Sequence, residues 1–204
     1  WGIEATLHGH GEGYSFDASA YYNRFSNYIY DALVPQGPCV AAAAPSGRDV
    51  DLPCFQYAQA DARYYGIEAE GSLRLATIGR YAINADLLGD YVNAQILGTG
   101  PAPRIPPLRL LGGLEAQSDT VNARVEVERS FKQTRVLGLE TPTDGFTLVN
   151  ASVQLKPWGT LNPTTLTLSA NNIFDVVARR SASFTKDFVP LSGRDFRLSA
   201  RVSF

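Results

Sequence analysis

Apolar and polar residues alternate one for one through most of this chain, and no other feature narrows its possible folds so far. In the last segment Phe196, Leu198, Ala200, Val202 and Phe204 share one face of an extended strand, while Arg197, Ser199, Arg201 and Ser203 share the other. Successive side chains of a strand point to opposite sides, so one face is greasy and the other charged. The same split recurs in Val121, Ala123, Val125 and Val127 against Asn122, Arg124, Glu126 and Glu128. It appears again in Ile67, Ala69, Leu73 and Leu75 against Glu68, Glu70, Ser72 and Arg74. Helical spacing is missing almost everywhere, so the fold class is all-β.

The alternating stretches predict about nine strands, near residues 2–10, 14–33, 55–76, 80–97, 107–118, 120–137, 145–157, 163–177 and 192–204. Their connections alternate in length. Residues 11–13, 77–79, 118–119 and 158–162 are short links, whereas 34–53, 98–106, 138–144 and 178–191 are long and rich in Pro, Gly and Thr. Transmembrane barrels sort their loops in this way, with short periplasmic turns on one rim and longer extracellular loops on the other. Strands of about 20 residues, at about 3.3 Å each, run roughly 65 Å and overshoot an apolar band about 25 Å tall.

Inside a bilayer every backbone polar group needs a partner, so such a sheet must close on itself. With nine strands the first and last run in the same direction, whereas single-chain bacterial barrels close antiparallel with even numbers. The expected architecture is therefore an antiparallel up-and-down transmembrane β-barrel segment, with residues 1–204 as the C-terminal portion of a larger barrel and earlier strands upstream. The absence of Met and the start at Trp1 fit a piece of a longer or processed protein. Glu68, Asp86, Arg109, Arg124 and Glu126 all point inward on this register, which calls for a wide, wet or plugged lumen.

Several classes drop out. No apolar run approaches the roughly 18 residues of a membrane helix. Net charge is -2 and the basic residues are scattered, so there is no stripe to neutralise nucleic-acid phosphates. No Ser-His-Asp order, P-loop or paired-Cys motif occurs, and no enzyme is expected.

Cys39 and Cys54 flank a stretch rich in Ala, Gly, Pro and Asp. In an oxidising compartment that spacing reads as one disulfide pinning a loop; in the cytosol it reads as two free thiols. His8 and His10 share a face with Glu4 and could bracket a metal ion, although no metal site is expected at this end of the first strand. The pairs Glu68/Glu70 and Glu126/Glu128 read as lumen-wall partners for arginines. Asp61 and Arg63 stand high on a strand below the loop, as candidate ligand-binding residues at an outward mouth. Tyr14, Tyr21, Tyr22, Phe25, Tyr64, Tyr65, Tyr81, Tyr91 and Trp158 read as interfacial girdle.

The stretch Leu191-Ser-Gly-Arg-Asp-Phe196 leading into Arg197-Leu-Ser-Ala-Arg-Val-Ser-Phe204 resembles the C-terminal end of TonB-dependent outer-membrane receptors. Leu168-Ser-Ala-Asn-Asn-Ile-Phe-Asp175 resembles that family's penultimate-strand motif. Tyr65-Gly-Ile-Glu68 and Ile105-Pro-Pro-Leu-Arg109 are similar to its strand motifs. Two further runs, Tyr22-Asn-Arg-Phe-Ser-Asn-Tyr-Ile-Tyr30 and Phe55-Gln-Tyr-Ala-Gln-Ala-Asp-Ala-Arg-Tyr-Tyr-Gly66, resemble the zinc-uptake branch, yet the loops lack the His-rich character of that branch.

The resemblance implies a barrel of about 22 strands in the bacterial outer membrane. It also implies an N-terminal plug outside this chain, coupling to the TonB complex, and import of a siderophore, haem, cobalamin or zinc. Phe196, Leu198, Val202 and Phe204 would form the signal read by the barrel-assembly machinery. Expected partners are outer-membrane lipid, that machinery, the TonB complex and a small metal-complex ligand; no cofactor is implied. A passive porin, or an adhesin-type structural barrel, would share the alternation and the terminal Phe204, and a soluble all-β binding module is a third class.

Overall fold

The computed structural model describes residues 1–37, 39 and 52–203. Ten strands form one antiparallel sheet: β1 (Gly2–Gly11), β2 (Tyr14–Val34), β3 (Cys54–Ile78), β4 (Tyr81–Ile96), β5 (Gly100–Pro101), β6 (Arg109–Gln117), β7 (Val121–Ser130), β8 (Phe146–Leu155), β9 (Thr164–Asn171) and β10 (Asp195–Val202). Neighbours follow chain order except that β4 pairs with β6, and the two-residue β5 is added beside β4. The nine long strands are those predicted from the alternation. β1 and β10 end the sheet without pairing to each other, so the structure is a barrel wall left open.

Register carries the two-faced pattern across the wall. Ile3, Tyr22, Tyr65 and Asn93 are successive cross-strand partners, as are Ala85, Leu114, Val125 and Ala151. Three residues from the first of these rows, Ser19, Glu68 and Asp90 follow one another on the opposite face. A slip of one residue would turn every apolar side chain to the charged side, so the alternation itself fixes the pairing. Among the described residues nothing packs over the apolar face: Phe196 is 71% exposed and Leu198 75%. In water such a surface would be untenable, whereas lipid satisfies it.

Tyr81 and Tyr91 lie on this outer face, ten positions apart on β4. That separation is about 33 Å along a strand, or about 23 Å of height at a tilt of about 45°, the depth of an outer-membrane apolar band. Tyr14, Tyr22 and Tyr65 share the outer face. Tyr21, Phe25 and Tyr64 correct the girdle expectation. Tyr21-Tyr22 and Tyr64-Tyr65 are adjacent pairs, and a strand must send one member of each to the opposite face. Tyr64 turns inward, with its ring edge-on to Phe25 at 5.5 Å and its hydroxyl donating to Tyr28 at 2.8 Å.

The strands β2 and β3, 21 and 25 residues long, rise well beyond the end of β4 at the long-loop rim. A bulge between Phe25 and Tyr28 interrupts them, with Asn27 left-handed at φ 57°. Two strands fall furthest short of the predicted ranges. β7 ends at Ser130 rather than continuing to 137, leaving only the isolated Gln133–Thr143 bridge beyond it. β9 ends at Asn171 because Asn172 adopts φ 48° and bonds locally: its Oδ1 accepts from Val176 N at 2.9 Å and its Nδ2 donates to Val176 O at 2.9 Å. Side-chain bonding of this kind competes with the ladder.

Candidate functional site

The charged face becomes the inner wall. Mid-wall, Arg124 on β7 donates to both carboxylate oxygens of Asp86 on β4, at 2.5 and 2.8 Å, and to Glu126 at 3.0 Å. The Arg124 side chain crosses β6 between these strands at Gly113, where any Cβ would collide with the guanidinium, so glycine clears the path of the bridge. Arg109 meets Asp90 at 2.7 Å, and Asn122 donates to Glu115 at 2.6 Å. Beside them Glu4, Asp17, Glu68, Glu70 and Asp90 line an acidic groove of about 480 Å³, with Arg109 at its edge. Charges at this density are tolerable where partners and water reach them.

Toward the long-loop rim the inner wall becomes apolar, and the loops fold over it. Ala94 and Ile96 at the top of β4 are buried with Ala102 of the β4–β6 loop, and Tyr28, Tyr30, Ile105 and Leu137 pack around them. A second cluster joins Phe146 and Leu148 of β8 to Ala178 in the last loop.

Polar locks tie the loops together. The Arg180 guanidinium binds both carboxylate oxygens of Glu128 on β7, a residue only 7% exposed. That hydrogen bonding, reinforced by charge attraction, raises the pKa of Arg180 against the opposing effect of burial. Lys186, 4% exposed, donates to Thr141 O, to Thr141 Oγ1 at 2.7 Å and to Thr143 Oγ1 at 2.9 Å. Arg104 offers its backbone N–H to Glu140 at 3.1 Å and lays its guanidinium over the Phe184 ring. The loops after β4, β7 and β9 are thus one connected assembly over the inner wall.

Asp61 and Arg63 do not line this mouth. Their parity is that of Tyr65 and Ile67, so they lie on the outer face, with Arg24 reaching Asp61 at 3.4 Å and Arg63 donating to Gln95 at 2.7 Å. His8 meets Asp17 at 2.5 Å rather than turning with His10 toward Glu4. Among the described residues no three His, Cys, Asp or Glu side chains gather to hold a metal ion. Cys39 and Cys54 are joined, their Cα atoms 5.9 Å apart at the foot of the β2–β3 loop. Phe196, Leu198 and Val202 occupy the outer face of β10; Phe204 lies outside the described residues, as does most of the stretch between the cysteines. No periodicity marks the locking residues Arg104, Glu140, Arg180 and Lys186 in the sequence, since they lie in loops.

A lipid-facing apolar wall, a charge-paired interior and loops sorted by rim define an outer-membrane β-barrel of the large, loop-covered kind. The family model described as TonB dependent receptor-like, beta-barrel matches residues 1–173, and the chain belongs to that family, whose members are transporters of the bacterial outer membrane and not enzymes. Among solved structures the copper transporter OprC superposes with a TM-score of 0.78 at 20% identity, covering 100% of this chain and 31% of that one. The FrpB iron transporter from Neisseria meningitidis gives 0.67 at 14% identity, over 98% of this chain and 30% of that one. The outer-membrane transporter YddB from Escherichia coli gives 0.64 at 12% identity, over 100% and 32%. Identities this low speak for the fold alone. The chain spans about a third of the length of these transporters.

Proposed function

We propose that this chain is the C-terminal part of a receptor barrel that imports a metal complex across the outer membrane, driven by a TonB complex acting on an N-terminal plug. The observation that carries the reading is the loop assembly braced over a charge-lined inner wall. A passive pore is served by an open mouth, whereas a receptor needs a built surface on which a ligand can settle before it is admitted. Membership of the TonB-dependent family supports energy coupling, and the copper and iron transporters that share the fold support a metal cargo.

The chain contains no Met, and its two histidines lie near the short-turn end of β1. The long loops therefore offer neither the thioether nor the imidazole groups that hold a bare soft metal. Tyr28, Tyr30, Tyr64 and Phe25 line the upper inner wall instead, a surface suited to the organic shell of a chelate. Siderophore, haem and cobalamin complexes fit this reading better than free zinc.

Growth and uptake of labelled complexes, under iron, zinc, copper and cobalamin limitation, test the proposal in cells with and without the intact gene. The expected result is loss of uptake for one metal complex on deletion, and equal loss when TonB is inactivated. Uptake that continues without TonB would identify a passive channel instead.

A further inference from the structure

The mid-wall arginines that face inward have carboxylate partners: Arg124 meets Asp86 and Glu126, and Arg109 meets Asp90. Arg24 and Arg63 are arranged differently. They are direct cross-strand partners on β2 and β3, both exposed on the outer face, and like charges placed opposite each other destabilise a strand pair. Asp61 offsets Arg24 only loosely, at 3.4 Å. Arg63 donates to the neutral Gln95, so among the described residues the group keeps one guanidinium charge that no carboxylate matches.

Height matters as much as charge. Arg24 and Arg63 stand two positions beyond Tyr22 and Tyr65 in the direction of the long loops. Tyr22 and Tyr65 stack at 6.4 Å, and Trp1 stacks on Tyr22 at 5.6 Å. Aromatic rings of this kind mark the edge of the hydrocarbon. The two guanidinium groups therefore emerge at the head-group level of the outer leaflet, with no access to the lumen.

We propose that Arg24 and Arg63 form a clamp for a phosphate group of the phosphorylated glycolipid of the outer leaflet. Each guanidinium is a planar fork that matches phosphate oxygens two at a time, and neighbouring strands present the two forks side by side. With Asp61 beside it, the clamp carries a single net positive charge. That is sufficient to hold an anion already concentrated at the membrane surface and insufficient to gather dilute phosphate from solution. The occupant also relieves the repulsion between the two arginines, which gives the otherwise unfavourable pairing a physical purpose.

The test uses the full receptor extracted from outer membranes, with bound glycolipid counted by mass spectrometry. The R24Q/R63Q protein should retain about tenfold less glycolipid than the wild type, the loss expected from removing charge-assisted hydrogen bonds. Barrel assembly is checked by heat-modifiable gel mobility. R63Q alone, which keeps the Arg24–Asp61 pair, should assemble normally and lose most of the glycolipid. Added bisphosphorylated lipid A should raise the melting temperature of the delipidated wild type but not of R24Q/R63Q. Equal retention by wild type and variants would overturn the proposal, as would equal stabilisation by dephosphorylated lipid A, which would assign binding to the acyl chains. Reproduction of the shift by millimolar inorganic phosphate would overturn it too, by showing a free-anion site.

Discussion

Arg180, in the long loop after β9, holds the carboxylate of Glu128 on β7 through two guanidinium nitrogens, one of them at 2.9 Å. This pair fixes the last loop to the barrel wall, alongside the packing of Ala178 on Phe146 and Leu148 of β8. Lys186 and Asp187 then fasten the same loop to Thr141, the latter accepting from Thr141 Oγ1 at 2.8 Å.

Replacing Arg180 with Ala leaves the buried Glu128 carboxylate without its cation. Breaking a buried pair costs several kcal/mol, and partial exposure of Arg180 reduces this to about 1–3 kcal/mol. The expected result is faster amide exchange and proteolysis across residues 172–194 with an intact, heat-modifiable barrel. Unchanged protection of that loop would mean that the ion pair does not anchor it.

Leu87 and Leu88 are adjacent on β4 and face opposite ways, Leu87 outward and Leu88 into the acidic groove. Leu87→Lys should cost about 2–4 kcal/mol if its site lies near the middle of the bilayer. Leu88→Lys places the same charge beside Glu68, Glu70 and Asp90 and should be tolerated. Thermal unfolding in lipid would compare the two, and equal costs would contradict the assignment of faces.

Replacing Cys39 and Cys54 with Ser should release the β2–β3 loop without disturbing the wall, since the bridge closes a 15-residue separation outside the lipid-facing band. The wild type should migrate differently on gels with and without reductant, and the double variant should not. Identical wild-type mobility in both lanes would argue against a bridge in the cell.

Deleting Phe204 should reduce the quantity of assembled barrel, because the family resemblance makes this terminal aromatic part of the signal read by the barrel-assembly machinery. Normal amounts of heat-modifiable protein in the membrane would set that expectation aside.

Much of the wall was readable from its sequence because lipid and water impose opposite demands on neighbouring residues. The split of Leu198 from Ser199, or of Val125 from Glu126, follows from that demand alone, and cross-strand pairing then follows from the split. Where the demand lapses, the reading weakened. Tyrosine satisfies an interface, a lumen or a protein core, so Tyr21 and Tyr64 gave no signal of their own and only their neighbours' parity assigns them. The same parity, applied to Asp61 and Arg63, would have placed both on the outer wall. The loop locks were not legible at all: Glu128 and Arg180 lie 52 residues apart, and nothing in the spacing of either announces the other.

The unequal height of the wall has a practical consequence. The ends of β2 and β3 rise well clear of the lipid, and Tyr57, 80% exposed, stands on that projecting ribbon away from the interlocked loops. Antibodies and bacteriophage approaching the cell would find this spur raised above the end of β4. A fluorophore or epitope tag placed there would report on the receptor in living bacteria while leaving the passage beneath unobstructed.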